Sequence, residues 1–158
     1  MRPRKIILIL IKLLLRWLAR DPMVATGIDM IELERVERGI ARHGQRFLDR
    51  FFTPQEQAHC QGRIPSLAGR FAVKEAVSKA LGTGIGDMNW TDIEVVCDER
   101  GKPELLLHNN AQQIAAAQGL HHWAISLSHT QTHAIAIAIA LHNSSFIIQE
   151  SHAQLQSR

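Results

Sequence analysis

Glu75 and Lys79 stand four residues apart in Arg70-Phe71-Ala72-Val73-Lys74-Glu75-Ala76-Val77-Ser78-Lys79-Ala80-Leu81. On a helix they share one face, a turn apart. Such a pair is either a solvent-exposed ion pair worth about 0.3–0.5 kcal/mol or part of a site for an anionic substrate. The next residues are Gly82-Thr83-Gly84-Ile85-Gly86. Three glycines in five residues let backbone N–H groups approach an anion closely, or simply stop the helix and turn the chain. The loop follows a helix, whereas a Walker A loop or a dinucleotide fingerprint follows a strand. Asp29, in Gly27-Ile28-Asp29, closes a short apolar run. It either caps the following helix or turns toward a helix packed on its strand. In the second case Asp29 and Glu75 offer two hard oxygen ligands. That set suits Mg²⁺, which takes one or two carboxylates and completes its shell with phosphate oxygens and water.

Other chemistry is weaker. His129 and His133 frame His-Thr-Gln-Thr-His, which lacks the glutamate of a zincin and falls in a hairpin turn. A zinc hydrolase needs three ligands and an open position, so it stands as an alternative only. Ser128 has no G-x-S-x-G context. Cys97 alternates with Ile93 and Val95 and reads as core.

The elements that must position these residues follow from periodicity. Val24–Asp29 reads as a buried strand, and 31–43 as a charged amphipathic helix weakened at Gly39 and ended by Gly44. Phe47, Leu48, Phe51 and Phe52 form an apolar helical patch. Thr53-Pro54-Gln55-Glu56 has the capping-box spacing with proline in the first turn. Ser66 is the expected cap of the helix carrying Glu75, and Gly82 its left-handed terminus. Ile93, Val95 and Cys97 pair through Asp98-Glu99-Arg100-Gly101 with Leu105 and Leu107. Asn109 or Asn110 caps a helix ended by Gly119. Two strands close the domain, and the second sets Ile135, Ile137 and Ile139 against Ala134, Ala136 and Ala138, a small face open to close packing by a helix. Helices first and antiparallel strands later give an α+β fold.

The 158 residues allow one domain, two at most, and can bury a core without staples. Hydrophobic residues make up 46% and charged residues 21%, which excludes disordered and collagen-like chains. Two cysteines make no disulfide framework, so the expected compartment is reducing and cytoplasmic. The net charge of +3 is unevenly spread. Residues 1–22 hold six basic residues and one acidic, a net +5, leaving twelve basic and fourteen acidic residues, a net −2. A nucleic-acid partner for the body therefore loses its support. Residues 1–22 read in three ways: sequence upstream of a start at Met23, an interfacial helix touching a membrane, or an export signal without a small-residue cleavage site. The domain is expected over residues 23–141, with a polar tail over 142–158.

Three blocks in this order and spacing, GIDMIELERV, AGRFAVKEAVSKALGTGIG and ISLSHT, resemble holo-(acyl-carrier-protein) synthases, the small trimeric type of 4′-phosphopantetheinyl transferase. The resemblance spans about Val24 to Leu141. It implies helices packed on a mainly antiparallel sheet. It also implies transfer of the 4′-phosphopantetheine arm of coenzyme A to a serine of apo acyl-carrier protein, a step serving fatty acid biosynthesis, with release of adenosine 3′,5′-bisphosphate. Asp29 and Glu75 then correspond to Mg²⁺ ligands, and Lys79 to a lysine on the phosphates. Gly82 and Gly84 lie in the loop beside the nucleotide, and His129 and Arg70 near the coenzyme A phosphates. Arg35, Arg42 and Arg46 correspond to residues that grip the acidic carrier. Sites between subunits of a homotrimer are implied as well. Glu75 is the expected base for the serine hydroxyl, through a water on the metal or near it. A non-catalytic membrane adaptor, driven by residues 1–22, is the other alternative.

Overall fold

A computed structural model describes residues 24–142, and the readings for residues 1–22 and for the tail beyond His142 lie outside these residues. Five helices pack against two antiparallel sheets, in the order β1 (Val24–Glu32), α1 (Leu33–His43), α2 (Gln45–Phe51), α3 (Pro54–Cys60), α4 (Ile64–Leu81), β2 (Ile93–Cys97), β3 (Pro103–Leu107), α5 (Asn109–Ala117), β4 (Leu120–His129) and β5 (His133–His142). The main sheet has the order β1-β5-β4, and β2 and β3 form a separate hairpin.

The β5 alternation sets the layering. Ala134, Ala136, Ala138 and Ala140 are buried under α4, while Ile135, Ile137 and Leu141 face outward. The small face was expected to admit a helix, and β1 shows why it does. A Cβ on Gly27 would fall inside contact distance of α4, closest to the Ala76 carbonyl oxygen and 2.8 Å from the Ala80 nitrogen. The α4 backbone thus lies directly on β1, close enough for short side chains on both elements to meet.

Several local expectations are corrected. The first strand continues to Glu32, so Asp29 lies within it, paired with Ala136, and caps no helix. Gly39 lies inside α1 and does not end it, and the Phe47 ring packs where a side chain at this position would stand. Ser66 does not cap α4, which starts at Ile64 with proline in its first turn, and the Ser66 carbonyl instead accepts from Arg70. Neither Asn109 nor Asn110 caps α5; the Asn109 side chain donates to Asp92 Oδ1 at 3.0 Å. Phe52 follows α2 and is buried in the core. Cys97 is only half-buried. The Thr53–Glu56 capping box and the left-handed Gly82 stand as expected.

Candidate active site

Close approach of α4 to β1 brings three distant residues together. Asp29 lies two positions along β1 from Gly27, on the face that receives α4. Lys79 spans the gap, its Nζ donating to Asp29 Oδ1 at 2.7 Å and to the Ile28 carbonyl at 3.0 Å. The sequence offered a Glu75–Lys79 pair along one helix; the structure turns Lys79 to Asp29. Glu75, one turn earlier on α4, faces the same crossing. Burial first, and then the Asp29 carboxylate, push Glu75 above the ordinary carboxylate range; Lys79 and Arg35 offset this only in part. Two carboxylates held together against their repulsion fit a divalent cation, and the Lys79 ammonium already supplies positive charge at Asp29. Among the described residues no three His, Cys, Asp or Glu converge as a metal centre. Asp29 and Glu75 are the two carboxylates at this crossing that could hold a hard divalent cation such as magnesium, which takes one or two carboxylates and completes its shell with phosphate oxygens and water.

Past Lys79, Gly82 and Gly84 adopt φ of 72° and 71°, a region that favours glycine. A Cβ at Gly82, Gly84 or Gly86 would meet nothing within 4 Å, so the loop borders open space. The Gln118 side chain donates to the Leu81 carbonyl at 2.8 Å and holds the end of α4.

On the other side, Arg35 begins a cationic groove of about 410 Å³, lined by Arg35, Arg38, Arg42, His43 and Arg50 over Phe47 and Phe51. Arg46 lines the adjoining hollow. All three predicted arginines thus border one surface, and Arg35 connects it to Glu75. Arg38 and Arg50 were missed. The spacing of Arg35, Arg38 and Arg42, three and then four residues, was the available signal.

Two predicted residues do not join this cluster within one chain. Arg70 precedes Lys79 by nine residues, about half a revolution of α4, and faces β2. Its Nη1 donates to the Ser66 carbonyl at 3.3 Å and its Nη2 approaches Cys97 Sγ at 3.6 Å. His129 aligns with Ala134 and Ile31, two strands across from β1 and two residues beyond the Asp29 row. Strand spacing and rise put the His129 and Asp29 backbones about 12 Å apart.

A buried ion pair, also missed, supports the site. Lys74 Nζ donates to Glu56 Oε2 at 2.8 Å, to the Trp90 carbonyl at 3.0 Å and to the Ile93 carbonyl. Glu56 Oε1 accepts from the Val95 amide at 3.0 Å, while Oε2 closes the capping box on the Thr53 amide. Both side chains are fully buried. Lys74 immediately precedes Glu75, so this anchor sets the rotation of α4 that turns Glu75 to Asp29.

Known proteins share this arrangement of sequence and fold. A holo-[acyl-carrier-protein] synthase of Moorella thermoacetica is 50% identical over 127 residues, covering 78% of this chain and 97% of the relative. Among solved structures, the Helicobacter pylori holo-[acyl-carrier-protein] synthase in complex with coenzyme A superposes with a TM-score of 0.67 at 33% identity, covering 73% of this chain and 98% of that one. The Bacillus anthracis synthase, also in complex with coenzyme A, gives 0.62 at 36% identity, over 75% and 96%. Residues 25–138 match the 4′-phosphopantetheinyl transferase superfamily, and with a fold common to these synthases the chain belongs to that superfamily.

Proposed function

We propose that this protein transfers the 4′-phosphopantetheine group of coenzyme A to a serine hydroxyl of apo acyl-carrier protein, giving holo carrier and adenosine 3′,5′-bisphosphate. The observation that carries the reading is the meeting of Asp29, Glu75 and Lys79 at the β1–α4 crossing, in a chain of this superfamily. The serine oxygen forms a bond to the β-phosphorus, and the bond from that phosphorus to the bridging oxygen breaks. Anionic oxygens surround the reacting centre, so attack demands positive charge. Lys79 supplies one charge, moving between Asp29 and the phosphates. Asp29 and Glu75 would hold Mg²⁺, which supplies further charge neutralisation when bound. Glu75, raised above the ordinary carboxylate range by burial and by Asp29, is suited to accept the serine proton through a water. The open loop with Gly82 and Gly84 lies beside the nucleotide.

Carrier docking belongs to the cationic groove. Arg35, Arg42 and Arg46 meet acidic residues of the carrier, and Arg35, close enough to bias Glu75 electrostatically, brings the incoming serine to the cluster. The reading places the protein in fatty acid biosynthesis in the cytoplasm; among the described residues no helix is long and apolar enough to cross a membrane.

A homotrimer completes the site. Ile28 and Met30 are 58% and 62% exposed on the outer face of β1, beside the outward Ile135 and Ile137 of β5. This apolar face supports burial against other copies. His129, too far from Asp29 within its own chain, and Arg70 would then serve coenzyme A across the junction. Incubating the protein with coenzyme A, Mg²⁺ and apo carrier, followed by intact mass measurement, tests the activity. The carrier should gain the mass of one phosphopantetheine group, and an unchanged carrier would reject the reading.

A further inference from the structure

A hollow of about 300 Å³ lies between β3, α5 and β4 and shares no residue with the β1–α4 crossing or the cationic groove. Leu105, Leu106 and Leu107 of β3, Ala116 of α5, and Leu120 and Trp123 of β4 line it. Leu106 is 43% exposed there. The Trp123 indole donates to the Leu120 carbonyl at 3.3 Å, which fixes the ring as one wall. β3 and β4 are each the edge of their own sheet, so the hollow lies where two sheets meet without pairing. An apolar surface of this kind calls for an apolar cover.

The chain itself supplies one. β5 ends at His142, which pairs with Leu120 of the hollow. The His142 imidazole stands beside Gly119, just past α5, where a Cβ would lie 3.1 Å from Nδ1. Residues 143–158 follow, outside the described residues. Phe146-Ile147-Ile148 is the only apolar triplet among them, bounded by Asn143-Ser144-Ser145 and by Gln149-Glu150. Strand spacing sets the His142 backbone about 5 Å from that of Leu120, and four extended residues reach about 13 Å further. Asn and Ser are turn formers, so one short polar turn suffices to bring Phe146 back to the hollow. We propose that Phe146, Ile147 and Ile148 dock in the hollow of their own chain and cover the junction between β3 and β4.

Tethering favours this occupant over a second copy, because the triplet stands at high effective concentration four residues from the hollow's edge and loses no freedom of association. The docking also leaves the proposed subunit face intact. Trp123 pairs with Ala140, whose side chain is buried on the inner face of the sheet. Cross-strand partners share a face, so the hollow opens on the helix side, and the outer face of β1 and β5 stays free for other copies.

The test places a photocrosslinker in the full-length chain, Phe146→p-benzoylphenylalanine, separates the irradiated products by mass under denaturing conditions and maps them by peptide mass spectrometry. The crosslinked product should have the mass of one chain and join position 146 to peptides containing residues 105–107 or 120–123. In parallel, Phe146→Asp should speed backbone hydrogen exchange at residues 105–107 and 120–123 about tenfold or more, since burying one side chain of this size is worth at least that factor, and leave β1 unchanged. A product of two chains' mass, or crosslinks only to other parts of the chain, would overturn the proposal, as would exchange unaltered by Phe146→Asp. Exchange decides alone if the larger crosslinking side chain yields no product.

Discussion

Replacing Gly27 with alanine places one methyl group where α4 rests on β1. That carbon would lie 2.8 Å from the Ala80 nitrogen and 2.9 Å from the Ala76 carbonyl carbon, and closer still to the Ala76 oxygen. Ordinary carbon contacts begin near about 3.5 Å, so α4 must lift by at least about 0.6 Å. The obstacle is helix backbone and cannot rotate away. Overpacking of this kind costs about 1–3 kcal/mol, and the upper end is expected because the whole Ala134–Ala140 face loses contact with the helix. For a domain of this size, 3 kcal/mol lowers the melting temperature by about 10 °C. Lifting also opens the Lys79–Asp29 bond of 2.7 Å, so turnover should fall more than the folded fraction does. Thermal unfolding and transfer assays on Gly27→Ala measure both effects. Gly86→Ala serves as the stability control, since its Cβ meets nothing and its φ is ordinary. A melting temperature within a degree or two of wild type, with full turnover, would refute the close-approach argument.

Three further outcomes follow from the same geometry. In the fold Glu75 holds its proton above the unfolded value of 4.5, so the stability it contributes in acid is lost as pH rises through its raised folded pKa. Glu75→Gln should therefore melt higher than wild type at neutral pH, by a margin that shrinks on acidification, while transfer fails; a constant margin would contradict the linkage. Lys74→Met leaves Glu56 charged, buried and unpaired, and should cost about 3–5 kcal/mol by denaturant titration. The double variant with Glu56→Gln should recover part of this, and a double-variant loss equal to the sum of the Lys74→Met and Glu56→Gln losses would show the pair to be uncoupled. Arg35→Glu should weaken carrier binding about tenfold or more and flatten its salt dependence; if coenzyme A binding suffers equally in calorimetry, the groove is misassigned.

The legible parts of this chain were those governed by local chemistry. Thr53 and Glu56 announce a cap because both partners lie within one turn. The Ala-Ile alternation of β5 announces its two faces because strand periodicity needs no tertiary information. The Glu75 helix and its glycine terminus were equally plain. What failed required knowledge of neighbours. Met30, Ile31 and Glu32 suit a helix start as well as a strand end, and only pairing with Ile135, Ala134 and His133 decides between them. Lys74 beside Glu75 reads as surface charge until Glu56 and two carbonyls from distant segments enclose it. Arg70 sits in the block that carries Glu75, yet helical geometry sends it to the opposite side, where β2 waits. Asp29, Glu75 and Lys79 were each singled out as residues; that Lys79 would bond Asp29 and not Glu75 depends on how closely Gly27 admits the helix.

The most direct test follows a single turnover with stoichiometric protein, coenzyme A, Mg²⁺ and apo acyl-carrier protein, measuring carrier mass and adenosine 3′,5′-bisphosphate together, in the wild type and in Asp29→Ala. The wild type should convert the carrier with one nucleotide released per group transferred. Asp29→Ala should keep its fold by circular dichroism and convert none. Full conversion by Asp29→Ala would contradict the assignment of the β1–α4 crossing as the reaction centre.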